Sequence, residues 1–362
     1  MKIDLIAGAR PNFIKIAPII DAIKDAQLSG KEIKYRLIHT GQHYDQNMSD
    51  SFFKQLRIPL PDINLEVGSG TQAEQTAKIM LGYESLLQEE TSDLTMVVGD
   101  VTSSMACSIV AKKMGVKVAH VEGGIRSWDL SMPEEINRMV TDSITDYFFT
   151  TSRTANENLK NLGVKNKNIY FVGNTMIDTL LKHYDHFKKP PIWNEIGLVE
   201  KKYIIMTLHR PANVDEGEKL KELVDAIIEN TKGMPVIFPA HPRTAKRIET
   251  LGISYPNLHT IEPLGYLEFN YLVEKSKAVI TDSGGITEET TVMDIPCMTL
   301  RDNTERPETI DLGTNELIGT NPQNIRLAIE KLFVGNWKNS SIPPLWDGKT
   351  SERIISYLLL LS

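Results

Sequence analysis

Short β-branched runs alternate with longer stretches of helical period along nearly the whole chain, and this alternation narrows the fold more than any other feature. KIDLIA (2–7), YRLIHT (35–40), TMVVGD (95–100), KVAHVE (117–122) and YFFTTS (147–152) each read as a strand. Between them lie segments such as EQTAKIMLGYESLLQEE (74–90), whose apolar residues recur at spacings of three and four. A βαβα rhythm of this kind implies a parallel sheet covered by helices, and strands that short and apolar suit burial on both faces. The rhythm pauses over HYDHFKKPPIWNEIGLVEK (183–201), which is charged, carries Pro190-Pro191 and has no clear period, so it reads as a linker. It restarts with KYIIMTLH (202–209), PVIFPAH (235–241), LHTIEP (258–263) and KAVITD (277–282). Asp215 is expected to cap the helix GEKLKELVDAIIEN (217–230). The expected fold class is therefore α/β: two Rossmann-like domains, 1–182 and 202–349, facing a cleft.

Bulk properties remove several function classes. A formal charge of −7 and a pI near 5.7 argue against a nucleic-acid surface, so any polyanion has to be gripped locally. Two cysteines, Cys107 and Cys297, make no disulfide framework and fit a reducing cytoplasm. MKIDLIAGARP is too short in apolar residues for a signal-peptide core, and IISYLLLL (354–361) falls far below the ~20 residues that span a bilayer. His39 and His43 are four apart but in a strand-turn segment, so no metal site is expected.

The polar residues gather at the carboxyl ends of the strands, where parallel sheets collect ligands. GARPNFIK (8–15) brings Arg10 and Lys15, GDVTSS (99–104) Asp100, and VEGGIRS (121–127) Glu122. In the second half LHRPANVD (208–215), PAHPRT (239–244) and DSGGITEE (282–289) occupy matching positions. Ser283, Gly284 and Gly285 open an expected helix running to about Asp294; its amide N–H groups and dipole can receive a phosphate. Glu289, one turn on, can accept from ribose hydroxyls. The plainer reading of this loop is a tight turn before a solvated acidic face. Arg301 and Arg306 in RDNTERPE (301–308) suggest an anion clamp, or else a loop of salt bridges. Phe269 is either core or a cover for a uracil ring. Asp100, Glu122 and Glu134 (in MPEEINR) would each weaken simple binding of a diphosphate, so their presence favours proton chemistry. His209 is either structural or a donor to a leaving phosphate.

GARPNFIKIAP, TGQH (40–43), GDVTSS, HVEGGIRS, MPEEINR, GNTMID (173–178), HPRT, DSGGITEE, RDNTERPE and WDGKTSERI (346–354) stand in the order seen in the non-hydrolysing UDP-N-acetylglucosamine 2-epimerases, and the chain resembles that family over essentially its whole length. The resemblance implies a glycosyltransferase-B type fold, with the final helix, 350–362, packing back on the first domain, and a homodimer. It implies reversible conversion of UDP-GlcNAc to UDP-ManNAc through 2-acetamidoglucal, for polysaccharide precursors. By motif, Asp100, Glu122, Glu134 and His209 become catalytic, while Arg10, Lys15, Phe269, Ser283, Gly284, Gly285, Glu289 and Arg306 hold the UDP part. Gln42, Gln46, Arg210 and His241 fall in the region of a second, activating UDP-GlcNAc. No cofactor is implied, and no GxGxxG follows any strand. Two departures stand out: Val98 where the family often has His, and HRPAN (209–213) where many members have His-Arg-Arg-Glu-Asn. A hydrolysing relative, and epimerases of UDP-diacetamido-uronic acids or UDP-6-deoxy-HexNAc, are the neighbouring activities.

Overall fold

The computed structural model describes residues 1–41, 53 and 55–361. Gln42 and Gln46 lie outside them. The chain divides into two compact units, Met1–Lys182 together with Pro344–Ser362, and His183–Pro343.

The first unit is built, among the described residues, on a seven-stranded sheet. Its strands are β1 (Lys2–Ala7), β2 (Lys34–His39), β3 (Ile63–Asn64), β4 (Leu94–Val98), β5 (Lys117–Val121), β6 (Tyr147–Thr150) and β7 (Ile169–Phe171). They lie in the order β3-β2-β1-β4-β5-β6-β7 and pair in parallel, β1 with β2 from Lys2↔Lys34 to Ala7↔His39. All five residues of β4 are buried, which is why the run carries no polar alternation. Ile6, Ile38, Val97 and Val118 share one core with Ile79, Tyr83, Ala106 and Val110 from helices Gln72–Glu89 and Thr102–Lys113. The first of these helices starts two residues before the expected 74, because Thr71 and Glu74 form a reciprocal cap: the Glu74 amide donates to Thr71 Oγ1 (3.2 Å) and the Thr71 amide to Glu74 Oε2 (2.8 Å).

Residues 344–362 complete this unit. Trp346 is buried and its Nε1 donates to the Thr151 carbonyl at 3.1 Å. The helix Thr350–Leu361 then begins with its Thr350 and Ser351 amides donating to the two carboxylate oxygens of Asp178, at 3.0 and 2.7 Å. Asp178 thus serves as an end cap supplied from another part of the sequence.

The second unit repeats the architecture with six strands: β8 (Ile204–Thr207), β9 (Val236–Pro239), β10 (Leu258–Ile261), β11 (Ala278–Thr281), β12 (Cys297–Thr299) and β13 (Asn315–Leu317), ordered β10-β9-β8-β11-β12-β13. Its core joins Ile204, Met206, Phe238 and Ile280 to Leu220, Val224 and Ile227 of helix Gly217–Asn230 and to Ile325 and Ile329 of helix Pro322–Phe333. Residues 183–201, expected as a linker, carry a short helix, Ile192–Ile196, and pack onto this unit. The Lys188 amide donates to the Leu267 carbonyl, and Trp193 lies edge-on to Tyr203 and Tyr271, at 5.7 and 5.4 Å. Asp215 does not cap Gly217–Asn230. Glu216 stands at the cap, while Asp215 closes the preceding helix Pro211–Val214 and its carboxylate accepts from Arg243 at 2.7 Å. No described helix is long and apolar enough to cross a membrane.

Candidate active site

Each sheet has one switch point, where strand order reverses and successive connections leave in opposite directions: between β1 and β4 in the first unit, and between β8 and β11 in the second. Ligands of open α/β sheets bind outside the carboxyl ends of such strands. The loop after β1 leads directly into Arg10, the loop after β4 carries Asp100, the loop after β8 His209 and the loop after β11 Ser283.

In the first unit the two loops are sewn together by Asn12. Its Oδ1 accepts from the Gly8 and Ala9 amides, and its Nδ2 donates to the Val98 carbonyl at 2.8 Å. Arg10 opens the helix Arg10–Leu28 on the surface, and Lys15, one turn later, is buried. Lys15 Nζ lies 2.7 and 2.8 Å from the two oxygens of Glu122, itself buried. Thus the residue expected to hold diphosphate and the residue expected to move a proton form one ion pair. Glu122 has a left-handed backbone (φ +70), uncommon for a residue with a side chain and frequent at functional loops. The glycines after it serve packing: a Cβ on Gly124 would stand 2.5 Å from the Ala155 carbonyl oxygen.

Asp100 is held from helix Pro133–Ile144. Arg138 donates to its carboxylate through Nη2, and Asn137 Nδ2 donates to its carbonyl at 2.9 Å. Glu134 is exposed on the first turn of that helix. The neighbouring Glu135 is fully buried and accepts from the Ser127 amide (2.9 Å), the Trp128 amide (3.2 Å) and Arg138 (2.8 Å). Beneath them His120, with no exposed surface, places Nδ1 2.6 Å from Asp142 and Nε2 3.0 Å from the Gly99 carbonyl. Burial alone would raise the Asp142 carboxyl, but His120 and Arg126 hold it below the ordinary range. Glu135, Asn137, Arg138 and His120 were not singled out from sequence; each sits inside a recognised motif, and only the third dimension shows what it holds.

In the second unit Ser283 stands at the N-cap of helix Gly284–Val292 without a capping bond from its side chain. A Cβ on Gly284 would approach Glu305 Oε1 to 2.8 Å, so the Glu305 carboxylate stands close beside this first turn and glycine is what leaves room for it. Gly285 follows it on the same turn. Asp282, just before, is fully buried and lies 2.6 Å from His209 Nδ1. The Arg210 amide also donates to Asp282, and Arg210 caps the helix Pro211–Val214. His241 caps Pro242–Thr250, with its Nδ1 accepting from the Arg243 amide at 3.3 Å.

Arg306 is buried, its Nε 2.7 Å from Glu288 Oε1, and Arg301 donates to Glu305 at 2.7 Å. Both expected clamp residues therefore have carboxylate partners within their own unit. Glu289 is buried and accepts from the Tyr266 hydroxyl at 2.7 Å; burial pushes its carboxyl up to about 7. Tyr266 belongs to the same helix, Tyr266–Lys275, as the half-buried Phe269.

A family model described as UDP-N-acetylglucosamine 2-epimerase matches residues 26–359. The UDP-N-acetylglucosamine 2-epimerase of Methanocaldococcus jannaschii is 41% identical over 371 residues, with 99% of each chain covered. Its crystal structure in complex with UDP-GlcNAc and UDP aligns with a TM-score of 0.87, covering 99% of this chain and 100% of that one. The UDP-2,3-diacetamido-2,3-dideoxy-D-glucuronate 2-epimerase of Pseudomonas aeruginosa is 38% identical over 365 residues, covering 100% of both chains.

Proposed function

We propose a reaction for this chain from a premise that is itself a finding: the chain belongs to the UDP-N-acetylglucosamine 2-epimerase family, whose two parallel-sheet domains are of the glycosyltransferase-B type. The reaction is reversible C2 epimerisation of UDP-GlcNAc to UDP-ManNAc, catalysed by an isomerase.

The C2 hydrogen of a sugar is not acidic, so its removal needs a held base and simultaneous departure of UDP from C1. The proton leaves C2, the C1–O bond to the diphosphate breaks with its electron pair going to UDP, and a C1–C2 double bond forms, giving 2-acetamidoglucal. Re-addition of UDP at C1, with a proton delivered to the opposite face of C2, gives the manno sugar. Asp100, Glu122 and Glu134 are assigned to proton transfer. Arg10, Lys15, Arg306, His209 and the amides of helix Gly284–Val292 are assigned to the diphosphate, where donors stabilise charge as the bond breaks. Glu289 and Phe269 are assigned to ribose and uracil. The observation that supports this reading is the presence of Asp100 and Glu122 just beyond the ends of β4 and β5, with Glu134 on the first turn of the helix that follows β5. A module that only bound a nucleotide sugar would gain by losing them.

Incubation with UDP-GlcNAc in heavy water is expected to yield UDP-ManNAc carrying deuterium at C2; product without deuterium, or none, overturns the proposal. Loss of UDP with free ManNAc as product selects the hydrolysing alternative. A diacetamido-uronate substrate is favoured by one observation, the Pseudomonas relative matching along its entire length. Comparing kcat/KM for the two nucleotide sugars separates these substrates. Action as a cytoplasmic homodimer supplying polysaccharide precursors, with a second UDP-GlcNAc as activator near Arg210 and His241, belongs to the same reading. It rests on the family resemblance.

A further inference from the structure

We infer that Asp282 is the positioning residue of His209, fixing which ring nitrogen faces the departing diphosphate; this deepens the reading above and rests on it. Asp282 follows β11 and His209 follows β8, so the pair spans the switch point of the second sheet. Asp282 is fully buried, whereas the His209 side chain is 61% exposed. One end of the pair is thus anchored in the fold and the other is presented outward.

The geometry determines the ring's orientation. Asp282 Oδ1 lies 2.6 Å from His209 Nδ1. A carboxylate only accepts, so Nδ1 carries the hydrogen and Nε2 becomes the nitrogen that acts on a ligand. Burial by itself would raise the Asp282 carboxyl, but the bonds from His209, the Arg210 amide and Asn213 hold it below the ordinary range, so it remains an acceptor at neutral pH. Asp282 is separated from Gly284 by one residue. The same short loop therefore sets the imidazole and the helix N-terminus that are both assigned to the diphosphate. A carboxylate this near an anion site would repel the ligand if its charge were uncompensated. Here it accepts from the His209 and Arg210 amides at 3.1 and 3.0 Å and from Asn213 Nδ2 at 3.0 Å.

Those last three bonds also allow a plainer role, in which Asp282 merely fastens loop 208–213. The two roles are separable. In the full-length enzyme, Asp282→Asn is expected to lower kcat by about a hundredfold, the scale of a misplaced acid–base group, with KM for UDP-GlcNAc changed less than about threefold. His209→Asn should do the same, and the double variant should be no slower than His209→Asn alone, because both changes remove one function. Asn213→Ala removes one buried loop fastening without touching His209 and should lower kcat by less than about tenfold, the scale of a single lost hydrogen bond. Nitrogen-15 NMR should show His209 protonated at Nδ1 in the wild type and a shift toward the other tautomer in Asp282→Asn. Multiplying losses in the double variant, an Asn213→Ala loss equal to that of Asp282→Asn, or unchanged tautomers would overturn the inference. Should the wild type make no UDP-ManNAc, the proposed reaction itself fails, and the tautomer signature still decides whether Asp282 orients the ring. If Asp282→Asn does not fold, the Asn213→Ala rate and the wild-type tautomer decide it.

Discussion

At the switch point of the first sheet, cations hold carboxylates: Lys15 sits against Glu122, and Arg138 against both Asp100 and Glu135. At the switch point of the second sheet the arrangement is turned round. There the buried carboxylate of Asp282 holds a histidine and two amides, and the helix behind it begins without a capping bond from its Ser283 side chain. The first unit also fills the start of its own helix with Asn12, whereas the second leaves Ser283 without a side-chain cap. One topology, used twice, thus surrounds paired acids with cations in one unit and a histidine with a buried acid in the other. What differs is which charged partner is sunk into the fold and which is left to work.

The largest expected effect tests the acid side of this contrast. Glu122→Gln should slow epimerisation by about 10²–10⁴-fold, the scale of a lost general base, while UDP binding measured by calorimetry stays equal or improves. A wild-type rate would remove Glu122 from the chemistry and leave the Lys15 pair as scaffolding.

In the second unit, Arg306→Ala takes the cation from the buried Glu288 carboxylate and, under the proposed function, from the diphosphate as well. Breaking a buried pair in this way costs about 3–5 kcal/mol, which urea unfolding without ligand would register. The Glu288→Gln/Arg306→Met double variant should recover most of that loss while UDP affinity remains poor. An unchanged unfolding midpoint in Arg306→Ala would mean that Glu288 does not depend on it.

A smaller effect separates Glu289 from Glu122, since one faces a phenol and the other an ammonium. Raised to about 7 by burial, the Glu289 carboxyl binds its proton more tightly in the folded than in the unfolded chain. Stability should then fall as pH rises from about 4.5 to about 7 and level off above, by at most about 3 kcal/mol from this group. Unfolding of wild type and Glu289→Gln at pH 5 and 7.5 would give the difference. Parallel pH slopes in the two proteins would refute it.

How much of this was legible beforehand follows from what periodicity can carry. β1, β2, β4, β5 and β6 are visible because each is four residues or more of largely buried chain with apolar residues at its centre, set between turn signals. β3, β7, β12 and β13 are two or three residues long, too short for any period, and only their neighbours in the sheet define them. Residues 183–201 mislead because Pro190-Pro191 and charge look like a spacer, while the aromatic anchor Trp193 and the Lys188 amide have partners as far along the chain as Tyr271 and Leu267. Asp215 misled for a similar reason: its spacing suits a cap, but Arg243 competes for it. Among site residues, motif order reached Asp100, Glu122 and His209. It did not reach Arg138, Glu135 or Asp282, because a residue that supports another carries no chemistry in its own name. Of Glu134 and Glu135, adjacent and identical in type, only burial tells which is structural support.

The return of residues 344–362 to the first unit bears on the order of biosynthesis. A ribosome finishes all of His183–Pro343 before it makes Trp346 or the helix that Asp178 caps. The second unit is therefore complete on the nascent chain while the first still waits for its final piece. Arrest or early termination within those last residues would release a molecule whose second unit is finished and whose first unit lacks the strap that fastens it.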